Sequence, residues 1–224
     1  MREAIMKELR RNRVVAIVRG QRSEAVADLA AALLEGGIRF IEITFRQGAP
    51  ESWRETAGAI RSVSARFGDK MRVGAGTVMT LEQLELAREA GARFIISPNV
   101  DTGVIRATRQ MGLVSLPGAF TPTEIALAYD SGADAVKVFP AGRLGPGYIR
   151  DLRGPLAHIP LMAVGGVDEK NAEAFIAAGA MGVGVGGNLV RSDWIEAGAF
   201  DRIAALAAEY ARAVHAPDAH AQDR

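Results

Sequence analysis

Short apolar runs, each bounded by glycine or proline and separated by stretches of helical period, set the pattern of this chain. Runs at 14–18, 40–45, 72–76, 94–97, 113–116, 135–139, 161–164 and 182–185 read as eight strands. Amphipathic helical spacing fills the gaps, for example at 23–34, 81–90, 123–130 and 169–178. One phrase recurs: a helical stretch, a glycine, one or two residues, then an apolar run. It appears around Gly36-Gly37, Gly91, Gly112, Gly132 and Gly179. Glycine just past a helix end accepts a left-handed backbone at little cost, so each phrase predicts a tight helix-to-strand connection. Strands alternating with helices of this length give βαβ units and a parallel sheet. Eight such units without a composition break predict a single domain over 1–214, an α/β fold of the (β/α)8 TIM barrel type. An open, doubly wound sheet is the alternative. Residues 1–13 read as an extra helix ahead of the first strand, and 215–224 as a disordered tail.

Composition narrows the function classes. Apolar residues make up 49 % and charged residues 24 %, and the net charge is +1. That balance argues against nucleic acid or an anionic membrane as the partner. The absence of cysteine removes disulfides, thiolate metal sites and cysteine nucleophiles. No run approaches the ~18 apolar residues of a membrane span, and the run at 14–18 is too short for a signal-peptide core. The expected location is therefore the cytoplasm. The three histidines, His158, His215 and His220, lie away from the predicted strand ends, and no His/Asp/Glu cluster has metal-ligand spacing. No metal cofactor is expected.

Charge at one buried position changes the picture most. Of 27 basic residues only four are lysine, and Lys137 alone sits inside an apolar strand, Ala133-Asp134-Ala135-Val136-Lys137-Val138-Phe139-Pro140. Arginine keeps its proton at ordinary pH, whereas a desolvated lysine loses it and becomes a nucleophile for carbonyl carbon. The alternative is a lysine at a strand end whose stem lies on apolar neighbours. In the second strand, alternation assigns Ile41, Ile43 and Phe45 to the helix side and Glu42, Thr44 and Arg46 to the barrel interior or mouth. Glu42 is then either half of a structural ion pair with Arg46 or a proton shuttle beside Lys137.

Active sites of such barrels form where strands end. The third strand ends Val73-Gly74-Ala75-Gly76-Thr77, and the fourth Ile96-Ser97-Pro98-Asn99. The glycines are expected to bring the backbone close to a ligand, Thr77 to offer a hydroxyl and Pro98 a rigid wall. The seventh and eighth strands end in paired glycines, Gly165-Gly166 and Gly186-Gly187, the latter followed by Asn188. Exposed N–H groups there, with a helix N-terminus nearby, suit a phosphate. Arg19, after the first strand, either adds charge beside the eighth or is a surface arginine.

Taken in order, Glu42-Ile43-Thr44-Phe45-Arg46, Gly74-Ala75-Gly76-Thr77-Val78, Ile96-Ser97-Pro98-Asn99, Pro117-Gly118, Val136-Lys137-Val138-Phe139-Pro140-Ala141, Gly165-Gly166-Val167 and Gly186-Gly187 resemble the KDPG/KHG aldolase family. The resemblance implies a class I aldolase, a carbon–carbon lyase. It would cleave 2-dehydro-3-deoxy-6-phosphogalactonate or -gluconate to pyruvate and D-glyceraldehyde 3-phosphate. By the same resemblance Lys137 matches the Schiff-base lysine and Glu42 the acid/base. Arg46, Thr77 and Pro98 match the pyruvoyl-carboxylate pocket. Gly165, Gly166, Gly186, Gly187 and Asn188 match the phosphate site. A cytoplasmic homotrimer without a metal is implied, with a phosphorylated keto sugar acid and pyruvate as partners. Ala163-Val164, 16–20 and 145–149 look galactonate-like, whereas Arg46 is the gluconate-type choice and Asn188 stands where serine is common. Alternative readings are a 4-hydroxy-2-oxoglutarate aldolase, a phosphate-binding isomerase or transferase on the same barrel, and a non-catalytic phospho-metabolite binder.

Overall fold

The computed structural model describes residues 1–21 and 23–215. Apart from His215, the tail expected at 215–224 lies outside the described residues. Among the described residues nine strands follow one another as β1 (Val14–Val18), β2 (Phe40–Thr44), β3 (Arg72–Gly76), β4 (Phe94–Ile96), β5 (Val114–Leu116), β6 (Gly118–Ala119), β7 (Val136–Val138), β8 (Leu161–Val164) and β9 (Gly182–Val185). Among the described residues ten α-helices accompany them: α1 (Arg2–Asn12), α2 (Ser23–Glu35), α3 (Trp53–Phe67), α4 (Leu81–Glu89), α5 (Thr102–Gln110), α6 (Pro122–Asp130), α7 (Ala141–Arg153), α8 (Ala172–Ala177), α9 (Ser192–Glu196) and α10 (Phe200–Ala213).

All ladders are parallel, in the order β5-β4-β3-β2-β1-β9-β8-β7-β6. The two ends of that order are one strand position split at Pro117. Proline has no N–H to give to a ladder, so the fifth strand, predicted at 113–116, ends as β5 before Pro117, and the chain resumes the same position beyond it as β6, which the apolar pattern does not predict. The Pro117 carbonyl still accepts from the Lys137 N–H at 2.9 Å, which joins the break to β7 and closes the barrel. Eight strand positions enclose the interior, as the periodicity predicts.

Alternation then sorts side chains into two cores. Val15, Phe40, Phe94, Ile96, Val114, Leu116, Met162 and Val164 fill the barrel, and α1 closes its lower end with Ile5, Met6 and Leu9. Ile41, Ile43, Phe45, Val136 and Val138 pack outward in the helix layer. Gly37, Gly91, Gly112, Gly132 and Gly179 all have positive φ, between 75° and 110°. Each lies just beyond a helix, where a Cβ would be strained.

The glycines of β3 serve the barrel rather than a ligand. A Cβ on Gly74 would overlap the Phe94 ring, and one on Gly76 would overlap Glu42 Oε1. Large inward residues on β2 and β4 fit only because β3 has no side chain between them. The strand-end pattern predicts that these two glycines bring the backbone close to a ligand; the space they leave is taken by Phe94 and Glu42 instead. Among the described residues no helix is long and apolar enough to cross a membrane.

Candidate active site

The C-terminal mouth of the barrel holds a cavity of about 480 Å³. Glu42 enters it from β2 and Lys137 from β7. Arg19, Thr77 and Pro98 line it from the loops after β1, β3 and β4. Gly165, Gly166, Gly186, Gly187 and Asn188 line it from the loops after β8 and β9. The inward direction of Lys137 follows from its neighbours: Val136 and Val138 occupy the helix side, and Ala135 lies in the interior below it.

Arg46 is placed elsewhere. It is exposed and lines a neighbouring cavity of about 240 Å³ with Thr44, Ser52, Glu55 and Thr56. The alternation that assigned it to the interior stops with β2 at Thr44, and the chain turns away through Gly48 at φ 74°. The Arg46 carbonyl accepts from the Trp53 indole N–H at 2.9 Å, which fixes that departure. No ion pair joins Glu42 and Arg46 among the described residues. Glu42 alone of the three predicted inward residues borders the barrel-mouth cavity.

Glu42 and Lys137 are 1 % and 7 % exposed, so both would carry charge in a largely dry space. Burial pushes the Glu42 carboxyl above the usual carboxylate range, against opposing pulls from Lys137 and Arg19. Burial likewise pushes the Lys137 ammonium below the usual lysine range; Glu42 opposes that shift and Arg19 reinforces it. The pair therefore moves together, the acid toward holding its proton and the base toward releasing one. Glu42 Oε2 is buried with no hydrogen-bond partner. A buried oxygen left unpaired is costly, and its position at the cavity makes it available to a substrate hydroxyl or water. Lys137 Nζ lies 4.7 Å from the centroid of the Phe139 ring.

The two glycine loops are held from behind. The Gly165 carbonyl accepts from the Gly142 N–H at 2.7 Å, and the Gly166 carbonyl accepts from Asn171 Nδ2 at 3.0 Å. Gly165 and Gly166 adopt φ of 87° and 76°, which glycine alone takes readily. Asn188 Nδ2 donates to the Val167 carbonyl at 2.8 Å and ties the two loops together. Among the described residues the N–H groups of Gly166, Gly187 and Asn188 meet no protein acceptor, which is the arrangement an anion requires. The helix dipole expected beside this loop is displaced: α8 begins at Ala172 rather than near 169.

Two features escaped the sequence. Phe139 forms part of the cavity wall, and its signal was an exposed aromatic directly after the lysine strand. Thr77 has φ 54°, a left-handed conformation that costs a β-branched residue about 1–3 kcal/mol. Nothing in its composition marks that strain. Among the described residues no group of three or more His, Asp or Glu side chains could hold a metal ion.

The contact between Gly76 and Glu42 gives an expected result. Gly76→Ala drives its methyl into the Glu42 carboxylate. A displacement of that size is expected to lower kcat by about 10²-fold, with KM changed much less. Steady-state kinetics checks it, and wild-type kcat in a folded variant would reject the geometry.

The family model for KDPG and KHG aldolase matches residues 5–206. The chain is 37 % identical over 179 residues to the probable 2-dehydro-3-deoxy-6-phosphogalactonate aldolase of Rhizobium meliloti (strain 1021), covering 80 % of this chain and 82 % of that protein. It is 34 % identical over 203 residues to the 2-dehydro-3-deoxy-phosphogluconate aldolase of Treponema pallidum (strain Nichols), covering 90 % and 93 %. In structure it matches KDPG aldolase from Legionella pneumophila, with pyruvate captured at low pH as a covalent carbinolamine intermediate. The TM-score there is 0.80 at 26 % identity, over 89 % of this chain and 94 % of that one.

Proposed function

The chain belongs to the KDPG and KHG aldolase family, and on that premise we propose that Lys137 and Glu42 carry a class I aldol cleavage. The substrate is a 2-dehydro-3-deoxy-6-phospho sugar acid, and the products are pyruvate and D-glyceraldehyde 3-phosphate. The observation that carries this reading is the buried pair itself. A lysine with a depressed pKa and a carboxyl with a raised one and an unpaired oxygen face a single cavity.

The neutral Lys137 amine attacks C2 of the keto acid and gives a carbinolamine, which loses water to form a protonated imine. Glu42 moves protons in these steps and then takes the proton of the C4 hydroxyl. The C3–C4 bond breaks, its electron pair moves into the iminium to give an enamine, and the aldehyde leaves. Protonation at C3 and hydrolysis return pyruvate and the free lysine. Thr77 and Pro98 border the pyruvoyl end, and the free N–H groups of the glycine loops, with Arg19, receive the phosphate. Arg46 reaches the pyruvate carboxylate only by turning from its cavity toward the barrel mouth. Holding both ends of the substrate places the scissile bond between amine and carboxylate. The covalent imine is the only cofactor-like group this reaction needs.

Borohydride reduction in the presence of pyruvate, followed by peptide mapping, tests the assignment. One adduct on Lys137 is expected; an adduct on another lysine, or none, ends it. The pH dependence has a definite sign. At limiting pyruvate the trapping rate follows the neutral amine and rises with pH through the lowered Lys137 pKa. Glu42 opposes that lowering, so Glu42→Gln shifts the midpoint to lower pH. An unchanged or alkaline-shifted midpoint in rate-versus-pH data would show that the two groups are uncoupled.

Val164 lines the cavity at the end of β8 and supports the galactonate branch. The ratio of kcat/KM for the two C4 epimers, with 4-hydroxy-2-oxoglutarate as third substrate, decides the branch. Assembly as a cytoplasmic homotrimer is part of the same reading. Sedimentation equilibrium tests the oligomeric state.

A further inference from the structure

Thr77 is held in its left-handed conformation by a relay of two glutamine side chains. Gln47 Nε2 donates to the Thr77 carbonyl at 2.6 Å, and Gln83 Nε2 donates to Gln47 Oε1 at 3.2 Å. Gln83 Oε1 in turn accepts from the Met79 N–H at 2.8 Å. Each amide donates once and accepts once, so the three bonds form a ring around residues 77–79. Three neighbouring backbone groups of this turn are also engaged. The Gly76 carbonyl accepts from the Phe45 N–H at 2.9 Å, the Val78 N–H donates to the Ile96 carbonyl at 3.2 Å, and Ser97 Oγ donates to the Val78 carbonyl at 2.6 Å.

Gln83 is 0 % exposed, and its place in the first turn of α4 offers a simpler role as a helix cap. A cap needs only an acceptor. Thr80 already supplies one, accepting from the Gln83 N–H at 3.2 Å. The Gln83 donor is spent instead on Gln47, which belongs to a different strand end and reaches Thr77. The relay thus ties the loop after β2 to the loop after β3, at the wall of the barrel-mouth cavity.

We propose that Gln47 and Gln83 are positioning residues that hold the strained Thr77 backbone so that its hydroxyl faces the carboxylate of the bound keto acid. The proposal rests on the reading of Thr77 as a pyruvoyl-pocket residue. Without the Gln47 bond the turn relaxes toward an ordinary β conformation and the hydroxyl swings away.

The test is a double-mutant cycle of Gln47→Met and Thr77→Val, read as the pyruvate concentration that half-saturates borohydride trapping. Gln47 is exposed, so its variant is expected to fold. Each single variant is expected to raise that concentration about tenfold, and the double variant no further. For Gln47→Met the trapping rate at saturating pyruvate and its pH midpoint are expected to stay as in the wild type. Gln47→Met also leaves the buried Gln83 donor unpaired and lowers the melting temperature. That loss persists in the Thr77→Val background, whereas the pyruvate effect does not, which separates positioning from stability. Equal and additive effects overturn the relay, as does a Gln47→Met variant with wild-type half-saturation. Thr77→Val without effect overturns the reading of Thr77 and the relay with it.

Discussion

Lys137→Arg is expected to keep the interior charge and to lose turnover by about 10⁵-fold, the scale seen when a covalent nucleophile is removed. The guanidinium does not give up its proton, so no imine forms. The structure explains why the native side chain can. Lys137 is 7 % exposed, and desolvation dominates its shift, so its neutral form is favoured well below the usual lysine range. Two measurements check this. Single-turnover release of pyruvate should fall to background, and the borohydride adduct should vanish. Lys137→Met, which is close in length and removes the charge, guards against misfolding as the cause. It should also be inactive while melting no lower than the wild type, because it replaces a desolvated amine with an apolar side chain of similar length. Turnover within about 100-fold of wild type in either variant, set against the loss above, would move the nucleophile elsewhere.

Glu42→Gln carries the second large effect, a fall in kcat of about 10²–10³-fold. The amide has the same shape as the carboxyl and fits the space that Gly76 leaves for it. Steric damage is therefore small, and proton transfer is what is removed. Cleavage depends on taking the C4 hydroxyl proton as the C3–C4 bond breaks, and no described side chain other than Glu42 brings a carboxylate to this cavity. Imine formation with pyruvate is less demanding because water can carry its protons. Trapping should therefore continue, more slowly, while cleavage nearly stops. A variant that cleaves and traps with equal loss would show that Glu42 acts only on imine formation. One that cleaves at the wild-type rate would remove it from the chemistry.

The hydrophobic pattern located every strand but β6 almost residue by residue, because nearly all strand residues are buried and most strands are bounded by a glycine with positive φ. The helices were legible in outline, but their starts were not. α8 begins later than its spacing suggests, since Asp168 and Asn171 satisfy each other's backbone in a turn first. Inside the strands, alternation correctly directed Glu42 and Lys137 inward. It failed for Arg46, two residues past the end of β2, where the period-two rule has no ladder to enforce it. The relay through Gln47 and Gln83 was invisible because its residues lie far apart in sequence and none is unusual alone.

The sequence by itself determined where the strands and helices lie, their parallel βαβ arrangement and the set of strand-end residues from which a site could be made. Those follow from local periodicity and from glycines whose conformation is intrinsic. Only the tertiary structure decided what the residues do to one another. It set Gly76 aside for the Glu42 carboxylate, left Glu42 Oε2 without a partner, turned Arg46 away, and buried the acid and the amine beside a single cavity. Desolvation and unpaired hydrogen-bonding capacity depend on which distant segments exclude water from a point in space, and no stretch of sequence contains that information.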